Sequence, residues 1–255
     1  MIHNSTQRQF HIDYALLTKQ GERLYNEDSV LAMPSVIPAT FAVADGLGGH
    51  GFGNIASAMV TATVKEMVTI SKELASLSSE EAIASLFRQA QSDICQKKQD
   101  GGYGDMMTTM VLLQIGEQIS WGHVGDSRLY YFQNGELAAQ TLDHSVPQIL
   151  VYMGEITPQE IRHHPDRNRL LRAMGKEWER GDEFSIGESI TPEAGQSFLL
   201  CSDGFWEYIV EEDMISCLRQ SKDAGEWLQS MEKIVLDNGK GKNMDNYSAI
   251  TIKLL

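Results

Sequence analysis

The stretch FAVADGLGGHG, residues 41–51, decides between two folds. Its glycines Gly46, Gly48 and Gly51 match the G-x-G-x-x-G spacing of a dinucleotide loop, and they lie between an apolar strand-like run and a helical pattern. A nucleotide cradle belongs to a parallel, doubly wound sheet, and needs a second strand ending in an acid about twenty residues past the glycines. That strand is missing. Glu66 lies at roughly the right place but falls inside an amphipathic helix, where Ala56, Val60, Val64 and Met67 recur at helical spacing. A second helix follows, through Ile83, Phe87, Ala90 and Ile94. Asp45, directly before the first glycine, would also repel a pyrophosphate. The glycines therefore serve the aspartate in front of them.

Composition narrows the function classes. The 255 residues are 42% hydrophobic and 22% charged, which suits a globular chain with a substantial core. With 21 basic against 35 acidic residues the formal charge is -14, which argues against nucleic-acid or anionic-membrane partners and suits cation binding. Cys95, Cys201 and Cys217 form no C-x-x-C pair, so neither a disulfide framework nor a zinc knuckle is implied. There is no basic-then-apolar leader and no long apolar span, so the expected location is the cytoplasm.

Elsewhere the pattern alternates β blocks with helices. Phe10–Thr18 and Phe41–Ala44 read as strands. TTMVLLQIG, QISWGHVG and RLYYFQNGELAAQ read as an antiparallel meander, with Asn134-Gly135 as a hairpin turn. A helix over Val146–Met153 opens a polar, arginine-rich connection. EFSIGESI, SFLLCSD and YSAITIKLL complete the strands, with two helices before the last. No repeat or linker divides the chain, so the expectation is one domain, 1–255, with a flap at about 145–195.

Four acids stand beside apolar strands and next to a glycine or asparagine: Asp45 after FAVA, Asp126 after WGHVG, Asp203 after FLLCS, and Asp245 before YSAITI. One such acid is an ordinary turn residue; four form a pattern. A carboxylate is costly there unless paired, and no basic residue lies beside Asp45, Asp203 or Asp245 in the sequence. Oxygen-only ligands select hard divalent cations, Mg²⁺ or Mn²⁺, and no His or Cys cluster suggests zinc. Glycine at position 46 would let its carbonyl approach an ion closely.

At this point the chain resembles the metal-dependent Ser/Thr protein phosphatases, PPM or type 2C, in their compact bacterial form. The resemblance runs through GERLYNED (21–28), VADGLGGHG (43–51), MMTTMVL (106–112), GHVGDSRLYYF (122–132), LDHSVPQ (142–148), HPDRNRLLRAMG (164–175), FLLCSDGFW (198–206) and MDNYSAITI (244–252). It implies an α+β fold, a four-layer αββα sandwich of two packed antiparallel sheets flanked by helices. It further implies that Asp45 bridges two Mn²⁺ or Mg²⁺ ions, that the Gly46 carbonyl completes one site, and that Asp203 and Asp245 hold the other. By the same resemblance Asp126 joins Asp203 at a weaker third ion, Glu27 and Asp28 order metal-held water, and Arg23 grips the substrate phosphate. The implied reaction is dephosphorylation of phosphoserine or phosphothreonine in proteins, reversing a kinase, by water activated between two ions about 4 Å apart. Phosphorylated proteins are the expected partners, and the chain is expected to act as a monomer. An alternative is a catalytically silent phosphoprotein-binding module on the same fold.

The departures are local. Leu47 stands where animal relatives carry a histidine assigned as general acid, which leaves the proton donor open, and Asn54 replaces an acid common after GGH. His50 is read as ordering its loop, and His123 and His144 as structural histidines. Other phosphatase chemistries fail on the letters: Glu207 sits where a cysteine phosphatase needs arginine after Cys201, and no D-x-D-x-[TV] or P-loop is present. Arg162, Arg167, Arg169, Arg172, Lys176 and Arg180 crowd the flap, suggesting a basic surface that docks phosphorylated or acidic segments.

Overall fold

Strand β3, Ala39–Leu47, has its residues from Ala39 to Ala44 all buried, without the alternation of a half-solvated strand. The reason is a different partner on each side. Phe41 and Val43 pack in an apolar layer with Phe198, Leu200, Ile250 and Ile252, whereas Ala42 and Ala44 pack in another with Ala56, Val60, Ile83 and Phe87. Large side chains fill the space between two sheets, and small ones admit a close-packed helix.

The computed structural model describes residues 11–47, 52–71, 74–102, 104–179 and 181–255. In chain order the elements are β1 (Ile12–Lys19), β2 (Asp28–Met33), β3, α1 (Gly53–Ile70), α2 (Ser79–Gln99), β4 (Met107–Thr108), β5 (Met110–Ile115), β6 (Ile119–Val124), β7 (Arg128–Gln133) and β8 (Glu136–Gln140). Then come α3 (Val146–Met153), β9 (Ser185–Ile186), β10 (Gln196–Cys201), α4 (Asp203–Trp206), α5 (Glu211–Gln220), α6 (Ala224–Gly239) and β11 (Tyr247–Leu254). One sheet runs β1-β11-β10-β7-β8 and the other β2-β3-β5-β6-β9, with β4 also on β3. Every strand pairing is antiparallel.

Helices α1 and α2 cover the β3 sheet, while Trp227, Met231 and Val235 of α6 pack with Tyr130, Phe132 and Leu199 on the other. The result is the α+β sandwich of four layers expected from the sequence. Two local expectations need correction. The strands 110–140 are not one meander: β5–β6 and β7–β8 are hairpins in different sheets, and the chain crosses between them at Gly125, whose φ is +96°. Strands β5, β6 and most of β7 are buried, so their apolar runs carry no sign of which sheet they join. EFSIGESI, read as a full strand, keeps only Ser185–Ile186 on β6 and one bridge from Ile190 to Ile119. The Asn134-Gly135 turn does form, both residues at positive φ, 52° and 77°.

The segment between β8 and β10 is fastened to this frame. Met174 exchanges backbone hydrogen bonds with Thr108 at 3.2 and 2.8 Å, and a Cβ on Gly175 would lie 2.4 Å from the Met106 carbonyl oxygen. Just before α3, Asp143 accepts two hydrogen bonds from Arg128 of β7, Nε at 2.7 Å and Nη2 at 2.8 Å, with side chains only 6% and 2% exposed. Such a pair is strongly unfavourable to break from one side, because a buried charge is left alone. Asp143→Ala should destabilise the fold by about 3–5 kcal/mol in urea denaturation, whereas Lys222→Ala, which breaks the exposed pair with Glu226, should cost at most about 1 kcal/mol. Equal losses for the two would contradict the reading.

Candidate active site

The acids reach one place because their strands end there. Asp45 near the end of β3 stands opposite Asp28 at the start of β2 in the register of that pair. Asp203 follows β10, Asp245 precedes β11, and Asp126 sits in the crossing between sheets. Asp45, Gly46, Glu27, Asp126, Asp203, Asp245 and Arg23 all line one cavity of about 660 Å³.

Glycines let the acid-bearing loops touch. A Cβ on Gly46 would lie 2.3 Å from the Gly53 carbonyl that opens α1, one on Gly204 would lie 2.2 Å from the Asn246 carbonyl oxygen, and one on Gly21 the same distance from that of Asp245. The glycine after Asp45 is thus required by packing of β3 against α1, a reason beyond the carbonyl approach expected from the sequence.

Hydroxyls and an amide then fix the carboxylates. The Asp45 backbone N–H donates to Thr109 Oγ1 at 3.0 Å, and its carbonyl accepts from Thr109 N at 2.8 Å and Thr108 Oγ1 at 2.7 Å. Ser202 Oγ donates to Asp28 Oδ2 at 2.8 Å. Asn246 staples the loop of residues 20–27 to β11: its Nδ2 donates to the carbonyls of Gln20 and Tyr25, and its Oδ1 accepts from Glu27 N. Trp206 Nε1 donates to the Asp126 carbonyl at 2.9 Å.

The electrostatics are those of crowded anions. Withdrawal from water, and then the neighbouring Asp28, Asp203, Asp126 and Asp245, hold the Asp45 carboxyl well above the usual carboxylate range. Burial first, then Asp203 and Asp143, do the same to Asp126. Asp28 is pushed up to about 7, mainly by burial and against the opposing hydrogen bonds of Ser248 and Ser202; Asp203 rises to about 6 through burial and Asp245. Two oxygens, Asp28 Oδ1 and Asp203 Oδ1, are buried without a hydrogen-bond partner. Protons or hard cations relieve such a cluster, and an all-oxygen donor set fits Mn²⁺ or Mg²⁺. Among the described residues no three of these groups already stand at ligand spacing around a single point.

The family model for protein phosphatase 2C matches residues 19–239. The chain is a member of the protein phosphatase 2C family. Relatives include the serine/threonine protein phosphatase PstP of Mycobacterium tuberculosis, 31% identical over 242 residues, and the protein phosphatase PhpP of Streptococcus pneumoniae, 32% identical over 206. These alignments cover 91% and 78% of this chain, and it spans 43% of the PstP length and 80% of the PhpP length. The crystal structure of the PstP catalytic domain in complex with two manganese ions superposes with a TM-score of 0.78 at 28% identity, covering 97% of this chain and all of that one.

Within this phosphatase framework some placements differ from expectation. Asp245 has a cation after all: Arg23 Nη2 donates to its Oδ2 at 2.7 Å, across 222 residues of sequence. The basic flap largely dissolves into internal partners. Arg162 is buried, donating to the Trp206 carbonyl and Glu211; Arg167 pairs with Glu207 at 2.6 Å, Arg169 with Asp166 at 3.4 Å, and Lys176 donates to the Leu171 carbonyl. Arg180, like His50, Gly48 and Gly51, lies outside the described residues. His123 and His144 are structural, bonded to the Leu142 carbonyl and to Ser185 and Gly125. The positioning groups Thr108, Thr109, Ser202 and Asn246 escaped the sequence reading, although all four lie in MMTTMVL, FLLCSDGFW and MDNYSAITI.

The raised carboxyls set a pH dependence. A carboxyl whose folded pKa is raised contributes stability that is complete in acid and is lost as the pH climbs through the folded value. His123 and His144, kept neutral by burial, act oppositely, but only below about pH 6.5. In EDTA the melting temperature should therefore fall between pH 6.5 and 8, and stabilisation by Mn²⁺ should grow over the same interval because the ions displace protons. A melting temperature that rises with pH there, or a Mn²⁺ effect independent of pH, would contradict the crowded-anion picture.

Proposed function

We propose that this chain hydrolyses phosphoserine and phosphothreonine in proteins, opposing a Ser/Thr kinase, as one catalytic domain with a flap at about 145–195. The supporting observation is the convergence of four aspartates, Glu27 and Arg23 on one cavity in a chain of this family. In this reading Asp45 would bridge two Mn²⁺ or Mg²⁺ ions, the Gly46 carbonyl would complete one site, and Asp203 and Asp245 would hold the other. Asp126 would join Asp203 at a weaker third. Bound there, such ions acidify water and offset negative charge on the phosphate.

The remaining work falls to the chain. Arg23 is half exposed and held by a single contact to Asp245, so its planar fork can turn to two phosphate oxygens while remaining beside the acids. Asp28, opposite Asp45 in the strand register, is anchored through one oxygen by Ser202 while its other oxygen is buried without a partner; Glu27 lines the cavity itself. Thr108 and Thr109 hold Asp45 in place as charge develops. We place the protein in the cytoplasm as a monomer acting on phosphorylated proteins.

Hydrolysis of a phosphothreonine peptide should require Mn²⁺ or Mg²⁺ and vanish in EDTA. Asp203→Asn should lower kcat by at least about 100-fold, since even outer partners of a metal site cost about 10–100-fold. Arg23→Ala should lower kcat/KM by roughly 10–100-fold, the worth of a charge-assisted pair of hydrogen bonds. Turnover that survives EDTA would reject the mechanism; tight Mn²⁺ binding with no turnover would favour the silent binding module.

A further inference from the structure

Arg172 is the described flap arginine left over. It is exposed and makes no hydrogen bond or ion pair among the described residues, whereas Arg162, Arg167 and Arg169 each do. It lines a second cavity, of about 350 Å³, between the flap and the edge of the β3 sheet. That volume is in the range of small ligand pockets.

The exposed part of the lining is largely apolar. Leu142, Ile149, Tyr152 and Leu171, between 41% and 65% exposed, gather at this one cavity rather than scattering over the surface. Behind them the rings of His123 and His144 stack at 4.5 Å, and burial holds both neutral. Asp143, also in the wall, is taken up by Arg128. A hollow with exposed apolar side chains and one cation that has no ion-pair partner among the described residues complements an apolar side chain next to a carboxylate.

The position relates this hollow to the acidic site. Residues 169–171 run antiparallel to 144–146, with Val146 N donating to the Arg169 carbonyl at 2.9 Å and Leu171 N to that of His144 at 2.8 Å. Asn168 and Leu170 of this ribbon line the acidic cavity, while Leu171 and Arg172 line the second. On the other side of the ribbon, His144 N donates to the Gly125 carbonyl, next to Asp126. The cavities share a wall in residues 168–172, so one extended substrate chain crossing this ribbon can present different side chains to the two.

We propose that this second cavity is a docking subsite for the phosphoprotein substrate. It takes an apolar side chain three or four residues from the phosphorylated serine or threonine, with an adjacent carboxylate on Arg172. The inference rests on the phosphatase reading for the phosphate end and on the second cavity for the rest. Selectivity among phosphoproteins then comes from this pocket and one cation, and not from a general basic surface.

The test uses phosphothreonine peptides carrying Leu-Glu, Gly-Gly or Leu-Lys at the third and fourth positions on either side, with p-nitrophenyl phosphate as a substrate too small to reach the subsite. Non-hydrolysable phosphonate versions, fluorescein-labelled, give affinities by anisotropy independently of turnover. The Leu-Glu peptide on one side should bind and react about tenfold better than Gly-Gly, mainly through KM, with Leu-Lys between or below. Arg172→Glu should abolish the preference for glutamate, and Tyr152→Ala should reduce the preference for leucine. Both variants should leave p-nitrophenyl phosphate turnover within about twofold of the parent. Peptides of equal affinity on the parent protein, or variants that slow the small substrate and all peptides alike, would overturn the subsite. Absence of turnover on every substrate with Mn²⁺ present would instead defeat the phosphatase reading, and the anisotropy series would still decide the subsite.

Discussion

Carboxylates repel, and this fold lines one cavity with Asp45, Asp126, Asp203 and Asp245 and sets Asp28 opposite Asp45 in the neighbouring strand. Left ionised and withdrawn from water they would push the strand ends apart, so the carboxyls of Asp28, Asp45, Asp126 and Asp203 hold protons at pH values where exposed ones do not. The scaffold makes that crowding tolerable by fixing the backbone around each acid. Thr108 and Thr109 grip Asp45, Ser202 grips Asp28, Asn246 ties the loop of Arg23 and Glu27 to β11, and Trp206 holds the carbonyl of Asp126. Glycines 21, 46 and 204 remove the side chains that would keep those backbones apart. Crowded, buried carboxyls of this kind favour protons or small hard cations.

The same residues connect the site to the flap. The Trp206 ring lies 3.5 Å from the guanidinium carbon of Arg128 on one contact and 5.5 Å from that of Arg162 on another, and Arg162 belongs to the flap. Arg128 is held by Asp143, which opens the flap, and Arg167 reaches Glu207 just past Trp206. Displacing the flap would thus disturb the indole that holds Asp126. Cations that look like a substrate-binding surface in the sequence serve mainly as fasteners.

Much of this was legible in the letters and some was not. FAVA followed by Asp-Gly reports a strand buried on two faces that ends in an acid, and the repetition of that pattern at Asp126, Asp203 and Asp245 pointed to convergence. β2, DSVLAM, went unread because every residue in it is only half buried and its pattern is neither alternating nor continuous. The division of 110–140 between two sheets is set by Gly125 and by packing on both faces, neither of which leaves a periodic trace. Arg23 and Asp245 are far apart in the chain, so their pairing is a tertiary fact. Helix α3 was legible to its ends, Val146 and Met153, because Ser145 caps it and Gly154, at φ 73°, stops it.

The central claim is that Asp45, Asp203 and Asp245 form one binding place for hard cations. Anomalous diffraction from crystals soaked in Mn²⁺ tests it directly. The account predicts two strong peaks, one between Asp45 and the Gly46 carbonyl and one among Asp45, Asp203 and Asp245. Manganese found elsewhere on the surface, with Asp245 still paired to Arg23 and no ion among these three carboxyls, would contradict it.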